Sequence, residues 1–150
     1  MSHPHAVWHF GLMAEYWALF KKDVPELHGL LSLVQRHGEP VLDLGCGAGR
    51  VLLGLLDGGV DADGVDISED MIAQARLAAG SKGYMPLLRV QPMSAFCTGR
   101  KYRTIVIVDS FGLGGNRDDD LATLRCCRQS LQGGGALVLN IQAEYTTNEA

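Results

Sequence analysis

The 150-residue sequence contains no apolar run that approaches the ~18 residues needed to span a membrane as a helix. Its first residues lack a charged start followed by a long apolar core, so we expect no signal peptide. The formal net charge of −4 gives no electrostatic basis for binding nucleic acid or an anionic membrane. These absences predict a cytoplasmic protein that binds neither.

Cysteine pairs at metal-ligand spacing are also absent. The chain has four cysteines, which are Cys46, Cys97, Cys126 and Cys127. None forms a C-x-x-C pair, and two are adjacent, which argues against a zinc knuckle and an ordinary disulfide framework. The histidines of residues 1–9 have no carboxylate or cysteine partner at ligand spacing. We therefore predict reduced thiols and no metal site.

What the chain does contain is an alternation of helical patterns and short apolar runs. Helices are predicted over residues 9–20, 24–38, 49–59, 68–83 and 118–135. Strands are predicted over residues 40–45, 61–68, 85–92, 103–112 and 136–143. Continuous apolar strands indicate burial on both faces, as in a parallel sheet between two helical layers. The predicted fold is α/β, a three-layer Rossmann-like sandwich with a mostly parallel sheet.

Some details of the helices can be predicted as well. Asp23 and Ser68 precede helical patterns and are expected to cap them. In the last helix, an apolar stripe is expected to face inward; it consists of Leu121, Leu124, Cys127 and Leu131.

The segment VLDLGCGAGR, residues 41–50, places Gly45, Gly47 and Gly49 directly after a predicted buried strand. A strand that turns sharply into a helix is expected to leave N–H groups unpaired, and glycines admit a ligand to the backbone. Asp66 ends the next predicted strand, and a carboxylate there can accept hydrogen bonds from both ribose hydroxyls. The two features together indicate a nucleoside ligand.

The nature of the nucleoside is indicated by Asp43 and Arg50. A dinucleotide fingerprint requires glycine or alanine where Arg50 stands, and Asp43 would repel a pyrophosphate. Asp43 suits an ammonium group instead. S-adenosylmethionine carries an ammonium, a carboxylate and a ribose, so it fits the pattern better than a nicotinamide dinucleotide does.

The sequence resembles the class I S-adenosylmethionine-dependent methyltransferases. VLDLGCGAGR is similar to their first motif, and GVDISEDMIAQAR to their second strand, acidic residue and helix. YRTIVIVDSFGL and LQGGGALVLNI resemble their fourth and fifth strands. The resemblance covers roughly residues 24–141, and the aromatic segment AEYWALF is similar to the branch that acts on small molecules.

The resemblance implies a cofactor site formed by Asp43, Gly45, Cys46, Gly47, Gly49, Asp66, Ile67, Met71, Met93 and Asp109. The glycine loop would line the methionine end of S-adenosylmethionine, with Asp43 close to its ammonium group. Asp66 would bind the ribose, while Ile67, Met71 and Met93 would pack near the adenine. No catalytic residue is implied.

The acceptor side of the site is implied by fewer residues. Asp109 and Ser110, after the fourth strand, would lie near the methyl group and the acceptor. Tyr16 would either cover the site as a lid or anchor the first helix. Residues 1–22 would form a helical cover, residues 23–142 the core and residues 143–150 a tail, together one S-adenosylmethionine-binding methyltransferase domain.

Three features depart from the family pattern. Pro92 stands where an aspartate commonly binds the adenine amino group, and Gln91 or Ser94 are the candidate substitutes. Arg103 stands where an acid usually opens the fourth strand, which we interpret as a surface variation. The chain also stops soon after the fifth strand. In the implied order 3-2-1-4-5 that strand is an edge, so the chain is a fragment, or a partner chain or second copy pairs there.

The function implied is methyl transfer from S-adenosylmethionine to a nitrogen or oxygen of a small-molecule acceptor. The alternative is a catalytically degenerate module of the same fold that binds a nucleoside or a protein partner.

Overall fold

The computed structural model describes residues 10–20, 22–113 and 116–141. The helices are α1 (Leu12–Phe20), α2 (Leu27–His37), α3 (Arg50–Asp57), α4 (Glu69–Ser81) and α5 (Arg117–Ser130). The strands are β1 (Val41–Leu44), β2 (Ala62–Asp66), β3 (Leu88–Val90), β4 (Tyr102–Ile107) and β5 (Leu131–Leu139). A 3-10 turn, Met93–Ala95, follows β3. The predicted tail and the histidines of residues 1–9 lie outside the described residues.

The strands form one sheet in the order β3-β2-β1-β4-β5. All four pairings between neighbouring strands are parallel. The carboxyl ends of all the strands therefore lie at the same edge of the sheet, with β1 at its centre. The predicted Rossmann-like α/β architecture is confirmed, and the sheet is wholly parallel among the described residues.

Helices cover both faces of this sheet. On one face, α2, α3 and α4 contribute buried residues such as Val34, Leu52 and Ala75 to one apolar cluster. On the other face, α5 contributes Cys127, which packs with Phe96 and the inner residues of β1 and β4. Every residue of β1 is buried, as expected for a strand covered on both sides.

The two predicted helix caps have different outcomes. Ser68 does cap α4, since its hydroxyl accepts a hydrogen bond from the Met71 N–H at 3.1 Å. Asp23 does not cap α2: a turn at residues 25–26 intervenes, and Glu26 occupies the cap position in a helical conformation. The Asp23 carbonyl instead accepts a hydrogen bond from Arg50.

The stripe predicted on α5 is only partly buried. Thr123 and Cys127 face the core, whereas Leu121 and Leu124 are exposed. Because Thr123 and Cys127 are four residues apart, they lie on one face of the helix and leave the two leucines outside. β5 also begins earlier than expected, directly after α5, and its register against β4 shifts between Tyr102 and Thr104.

α1 packs on the outer side of α4. The Gly11 N–H donates a hydrogen bond to the Asp70 carboxylate at 2.7 Å, and Ala14 is buried. Leu12, Leu19 and other apolar side chains of α1 are exposed. Within the described ranges, no helix is long and apolar enough to cross a membrane.

The amino end of the sheet is held by a buried carboxylate, Asp63. It accepts hydrogen bonds from the Leu87 N–H at 3.0 Å, the Tyr102 hydroxyl at 3.0 Å and the Arg100 guanidinium at 2.9 Å. Asp61 also pairs with Arg100, but its carboxylate is exposed. The Asp63 group joins β2, β4 and the start of β3 at the edge away from the glycine loop.

We predict that Asp63→Ala lowers the free energy of unfolding by about 2–4 kcal/mol, because the buried Tyr102 hydroxyl and the part-buried Leu87 N–H and Arg100 guanidinium lose a shared acceptor. The matched control, Asp61→Ala, removes an exposed partner of the same arginine and is expected to cost at most about 1 kcal/mol. Urea unfolding followed by circular dichroism measures both. Equal losses in the two variants would contradict the assignment of Asp63 as the organising group.

Candidate functional site

The segment between β1 and α3 is a tight loop at the carboxyl edge of the sheet. Its three glycines adopt positive φ angles of 81°, 54° and 98° at Gly45, Gly47 and Gly49. These angles strain any residue with a Cβ, which explains the glycine spacing. Gly49 precedes the first residue of α3 in a left-handed conformation.

Four N–H groups of this loop are used internally, contrary to the expectation that the loop leaves its N–H groups unpaired. The Gly45 and Cys46 N–H groups both donate to the Val65 carbonyl, at 2.7 and 3.0 Å. The Gly47 N–H donates to Asp66, and the Gly49 N–H to the Cys46 carbonyl. The loop is therefore fixed by β2, and it presents a backbone surface rather than a set of free donors.

The three glycines have different surroundings. A Cβ on Gly45 would overlap the Met93 methyl and lie 2.5 Å from Ser110 Oγ, so both side chains rest directly on this backbone. A Cβ on Gly49 would contact Ala75 of α4 at 3.4 Å. At Gly47 the nearest atom is Met71 Sδ at 3.9 Å, so Gly47 has the most space above it.

Asp66, at the end of β2, joins the loop to the start of α4. Its Oδ2 accepts a hydrogen bond from the Gly47 N–H at 2.9 Å. Its Oδ1 accepts one from the Ser68 N–H, also at 2.9 Å. Each carboxylate oxygen can accept more than one hydrogen bond, so the half-buried Asp66 retains capacity for two further donors.

Asp43 lies beneath the loop, and its side chain faces the first turn of α3. It is 2% exposed, and its carboxylate accepts a hydrogen bond from the Leu52 N–H. The Oδ2 atom has no hydrogen-bond partner among the described residues. Burial, and secondly the charge of Asp66, raise the pKa of Asp43 to about 7. A buried carboxylate with a free oxygen is a group that an approaching cation would stabilise.

Cys46, by contrast, has the properties of a packing residue. The thiol is buried, and its Sγ lies 3.6 Å from the Gly47 carbonyl oxygen. Burial and the neighbouring Asp43 raise its pKa well above the usual range, which leaves little reactive thiolate.

Asp109 follows β4 in a left-handed conformation, with φ of 56°. Its N–H donates to Asn140 Oδ1 at 2.7 Å, and its Oδ1 accepts from Asn140 Nδ2 at 2.5 Å. Its Oδ2 lies 3.3 Å from an Arg50 nitrogen, and Arg50 also pairs with Glu26 at 2.8 Å. These contacts hold the turn that carries Ser110 above Gly45.

Asn140 and Arg50 are site residues that the sequence analysis did not assign. Asn140 follows β5, so the parallel sheet brings it to the same edge as Asp109. A polar residue directly after an apolar strand was the available signal. The sequence analysis did not assign Asn140 because its hydrogen bonds with Asp109 depend on the left-handed backbone conformation of Asp109.

The remaining predicted residues lie around the ends of β2 and β3. Ile67 is 60% exposed, whereas Met71 is buried in the core. Met93 is half-buried and reaches back to the loop. Tyr16 lies on the exposed side of α1, where its ring packs on Phe20 with centroids 4.8 Å apart.

We predict that Asp43 gives the ligand-free protein a marked pH dependence of stability. Its pKa is raised on folding from 3.8 to about 7, so the folded state binds the proton more tightly. The free energy of unfolding should therefore fall as pH rises from about 4 to about 7, by roughly 1.4 kcal/mol for each unit by which the pKa is raised. Asp43→Asn should flatten this slope, as measured by urea unfolding at several pH values.

The control for this experiment is Glu15→Gln, which removes an exposed carboxylate of α1. It should leave the slope unchanged. An Asp43→Asn protein with the same pH slope as the unmodified chain would contradict the assignment.

Comparison with known proteins places this geometry in a family. The family model for a methyltransferase domain matches residues 41–135, which include the glycine loop, Asp66 and Asp109. A Bacillus subtilis (strain 168) protein named as a methyltransferase, YqeM, is 27% identical over 112 residues, covering 73% of this chain and 44% of that protein.

Two solved structures share the fold. An S-adenosylmethionine-dependent methyltransferase from Clostridium acetobutylicum ATCC 824 matches with a TM-score of 0.75 and 24% identity, over 88% of this chain and 56% of that one. The sugar N-methyltransferase KedS8 from Streptoalloteichus sp ATCC 53650 matches with a TM-score of 0.74 and 22% identity, over 89% and 54%. This chain thus spans about half the length of these relatives. Since the family model covers more than half of its residues, the chain belongs to the methyltransferase domain family.

Proposed function

We propose that the chain binds S-adenosylmethionine at the carboxyl ends of β1 and β2, and that the protein transfers the methyl group to a nitrogen or oxygen of a small-molecule acceptor. The observation that carries the proposal is the position of Asp66, whose carboxylate touches the glycine loop and keeps free acceptor capacity. The named activity of the Clostridium acetobutylicum relative supports the choice of cofactor.

The ribose fits Asp66 on grounds of chemistry. Two vicinal hydroxyls can donate to the two carboxylate oxygens, and hydrogen bonds to an ionised acceptor are stronger than neutral ones. The existing bonds from the Gly47 and Ser68 N–H groups fix the orientation of the carboxylate. The side chain does not have to be ordered when the ligand arrives, which reduces the entropic cost of binding.

The methionine end fits the space over Gly47. The Gly45 backbone is covered by Met93 and Ser110, whereas no atom lies closer than 3.9 Å to a Cβ built at Gly47. We expect an ammonium group above this loop to interact with the charge of Asp43, which lies beneath the loop and whose buried Oδ2 has no hydrogen-bond partner among the described residues. It would favour the ionised form of Asp43, whose pKa of about 7 in the free protein reflects burial.

In the proposed reaction, the cofactor supplies a methyl group on a sulfonium, which is an activated leaving group. The residues of this chain align the reactants, since a preorganised geometry lowers the barrier without further chemistry. Arg50 and Asn140 hold Asp109 and the adjoining Ser110 at the end of β4, beside the loop. We propose that this turn borders the acceptor, and we assign no catalytic base.

The acceptor class is inferred from relatives. KedS8 is named as a sugar N-methyltransferase, which supports a small-molecule acceptor with a reactive nitrogen. We propose that α1 with Tyr16 covers the acceptor side of the site, because α1 packs on α4 and presents exposed apolar side chains. The net charge of −4 supports an acceptor other than nucleic acid.

A partner at the outer edge of β5 is part of the same proposal. In the described part of the chain, β5 pairs with β4 only, so its other edge is open. Leu121 and Leu124 of α5 are exposed nearby, and edge strands of this kind readily pair with another segment. A second copy of the chain or a partner chain would satisfy these groups.

We predict that Asp66→Ala weakens binding of S-adenosylmethionine and S-adenosylhomocysteine at least tenfold, about 1.4 kcal/mol, because the ribose loses charge-assisted hydrogen bonds. Isothermal titration calorimetry measures both affinities. The control, Asp57→Ala, removes an exposed carboxylate that pairs with Lys82 at the far end of α3. It should change neither affinity.

An Asp66→Ala protein with unaltered affinity would remove Asp66 from the site. If the unmodified chain binds neither compound, the alternative of a degenerate module gains support. Binding without methylation of any amine or hydroxyl acceptor in a full-length protein would also favour the degenerate module.

We predict that Gly45→Ala weakens S-adenosylhomocysteine binding much more than Gly59→Ala does. Both positions have nearly the same positive φ, 81° and 79°, so the backbone strain is matched. A Cβ at Gly45 would displace Met93 and Ser110, whereas nothing lies within 4 Å of a Cβ at Gly59. Calorimetry should show a loss of about tenfold at Gly45 only, if the ligand requires Met93 and Ser110 in their present positions, because restoring them against the added methyl costs about 1–3 kcal/mol. Equal affinities in the two variants would contradict a role for this packing.

A further inference from the structure

The end of β3 is the part of the site beyond Asp66. The Gln91 N–H donates to the Asp66 carbonyl at 2.9 Å, so the segment after β3 runs directly beside the proposed ribose site. The glycine loop lies on the other side of Asp66, at the end of β1. If the tail of the ligand lies over the loop, the base lies over the end of β3, next to the exposed Ile67. This step rests on the proposed function.

The side chains at this end of β3 offer little that could distinguish one purine from another. The Gln91 amide is held in place by Cys97, since its Nε2 donates to the Cys97 carbonyl at 3.1 Å and its Oε1 accepts from the Cys97 N–H at 3.0 Å. Its second N–H can still donate and its oxygen can still accept, so the amide can match either kind of base edge. Pro92 has neither an N–H nor a polar side chain. Met93 offers an apolar surface, and its methyl is turned toward Gly45.

Ser94 is the other polar side chain in this segment, and its hydroxyl can both donate and accept. A purine with a 6-amino group presents a donor at position 6 and an acceptor at N1. A purine with a 6-oxo group presents the reverse. A hydroxyl can rotate to satisfy either, so Ser94 does not discriminate between them.

We propose that the base subsite of this chain is relaxed, and that it accepts S-nucleosyl-homocysteine ligands with a 6-oxo purine as well as those with adenine. Position 92 determines this property. Discrimination requires a group that only accepts or only donates, because the wrong base then leaves a buried polar group unpaired. Among the side chains, neither Gln91, whose amide both donates and accepts, nor Pro92 provides such a group.

The structure also shows how discrimination could be restored. Pro92 is exposed, with φ of −71° and ψ of 148°, and it precedes the 3-10 turn Met93–Ala95. Aspartate adopts this conformation readily and is favoured at the start of a helical turn. Pro92→Asp would place an acceptor-only carboxylate beside the base, where it favours the 6-amino group of adenine and repels a 6-oxo group.

The experiment compares two ligands, S-adenosylhomocysteine and S-inosylhomocysteine, by isothermal titration calorimetry. For the unmodified chain, we expect the two dissociation constants to agree within about threefold. For Pro92→Asp, we expect a preference for the adenosyl compound of about tenfold, because the carboxylate accepts a hydrogen bond from the 6-amino group and repels a 6-oxo group. The matched control is Met85→Asp, which adds the same charge before the opposite end of β3, at a residue that is 98% exposed. It should leave the ratio unchanged.

Each other outcome overturns a defined part of the proposal. A preference of tenfold or more for the adenosyl compound in the unmodified chain would show that its base subsite is selective. Equal binding in both the unmodified chain and Pro92→Asp would show that the base does not contact position 92. Binding of neither ligand by the unmodified chain would overturn the proposed function itself, and with it this inference.

Discussion

The hydrogen bonds that Asp66 accepts from the Gly47 and Ser68 N–H groups are the constraint on which the rest of the site depends. They connect the loop after β1 to the start of α4, which is the helix that follows β2. The connection is possible because β1 and β2 are adjacent and parallel, with Leu44 opposite Val65 in register. One carboxylate therefore fixes the loop conformation and still faces outward with free acceptor capacity.

The electrostatics of the site depend on a second carboxylate, that of Asp43, which is buried next to Asp66. Asp43 is buried one strand away, and its proximity to Asp66 adds to the effect of burial in raising its pKa. Two neighbouring acids and an orphan oxygen form a place where positive charge is favourable. At the other side of the loop, Arg50 pairs with both Asp109 and Glu26. The arrangement separates a region that attracts a cation from one where the charges are already paired.

Much of this could be predicted from sequence because the signals were local. The apolar runs, the glycine spacing and the acid at the end of β2 indicate the alternation of strands and helices and the position of the loop, whereas the strand order was implied by the resemblance to the methyltransferase family. The prediction that Ser68 caps α4 is confirmed, because Ser68 directly precedes the first residue of that helix. The prediction that Asp23 caps α2 is wrong, because a turn at residues 25–26 moves the start of the helix to Leu27. The sequence pattern of a capping residue does not indicate such a turn.

What could not be predicted depends on contacts between distant residues. The Gly45, Cys46 and Gly47 N–H groups find acceptors in β2 only once the sheet is assembled. The Asn140–Asp109 pair requires a left-handed backbone at an aspartate, which the sequence does not signal. The two hydrogen bonds between the Gln91 amide and the Cys97 backbone are likewise a contact that the sequence does not signal, and they fix the orientation of the amide.

The most direct test of the account is a crystal structure of the chain with S-adenosylhomocysteine. The account predicts that both ribose hydroxyls lie within hydrogen-bond distance of the Asp66 carboxylate, with the homocysteine portion over Gly47. A ligand seated elsewhere on the chain, or one whose ribose does not contact Asp66, would contradict it.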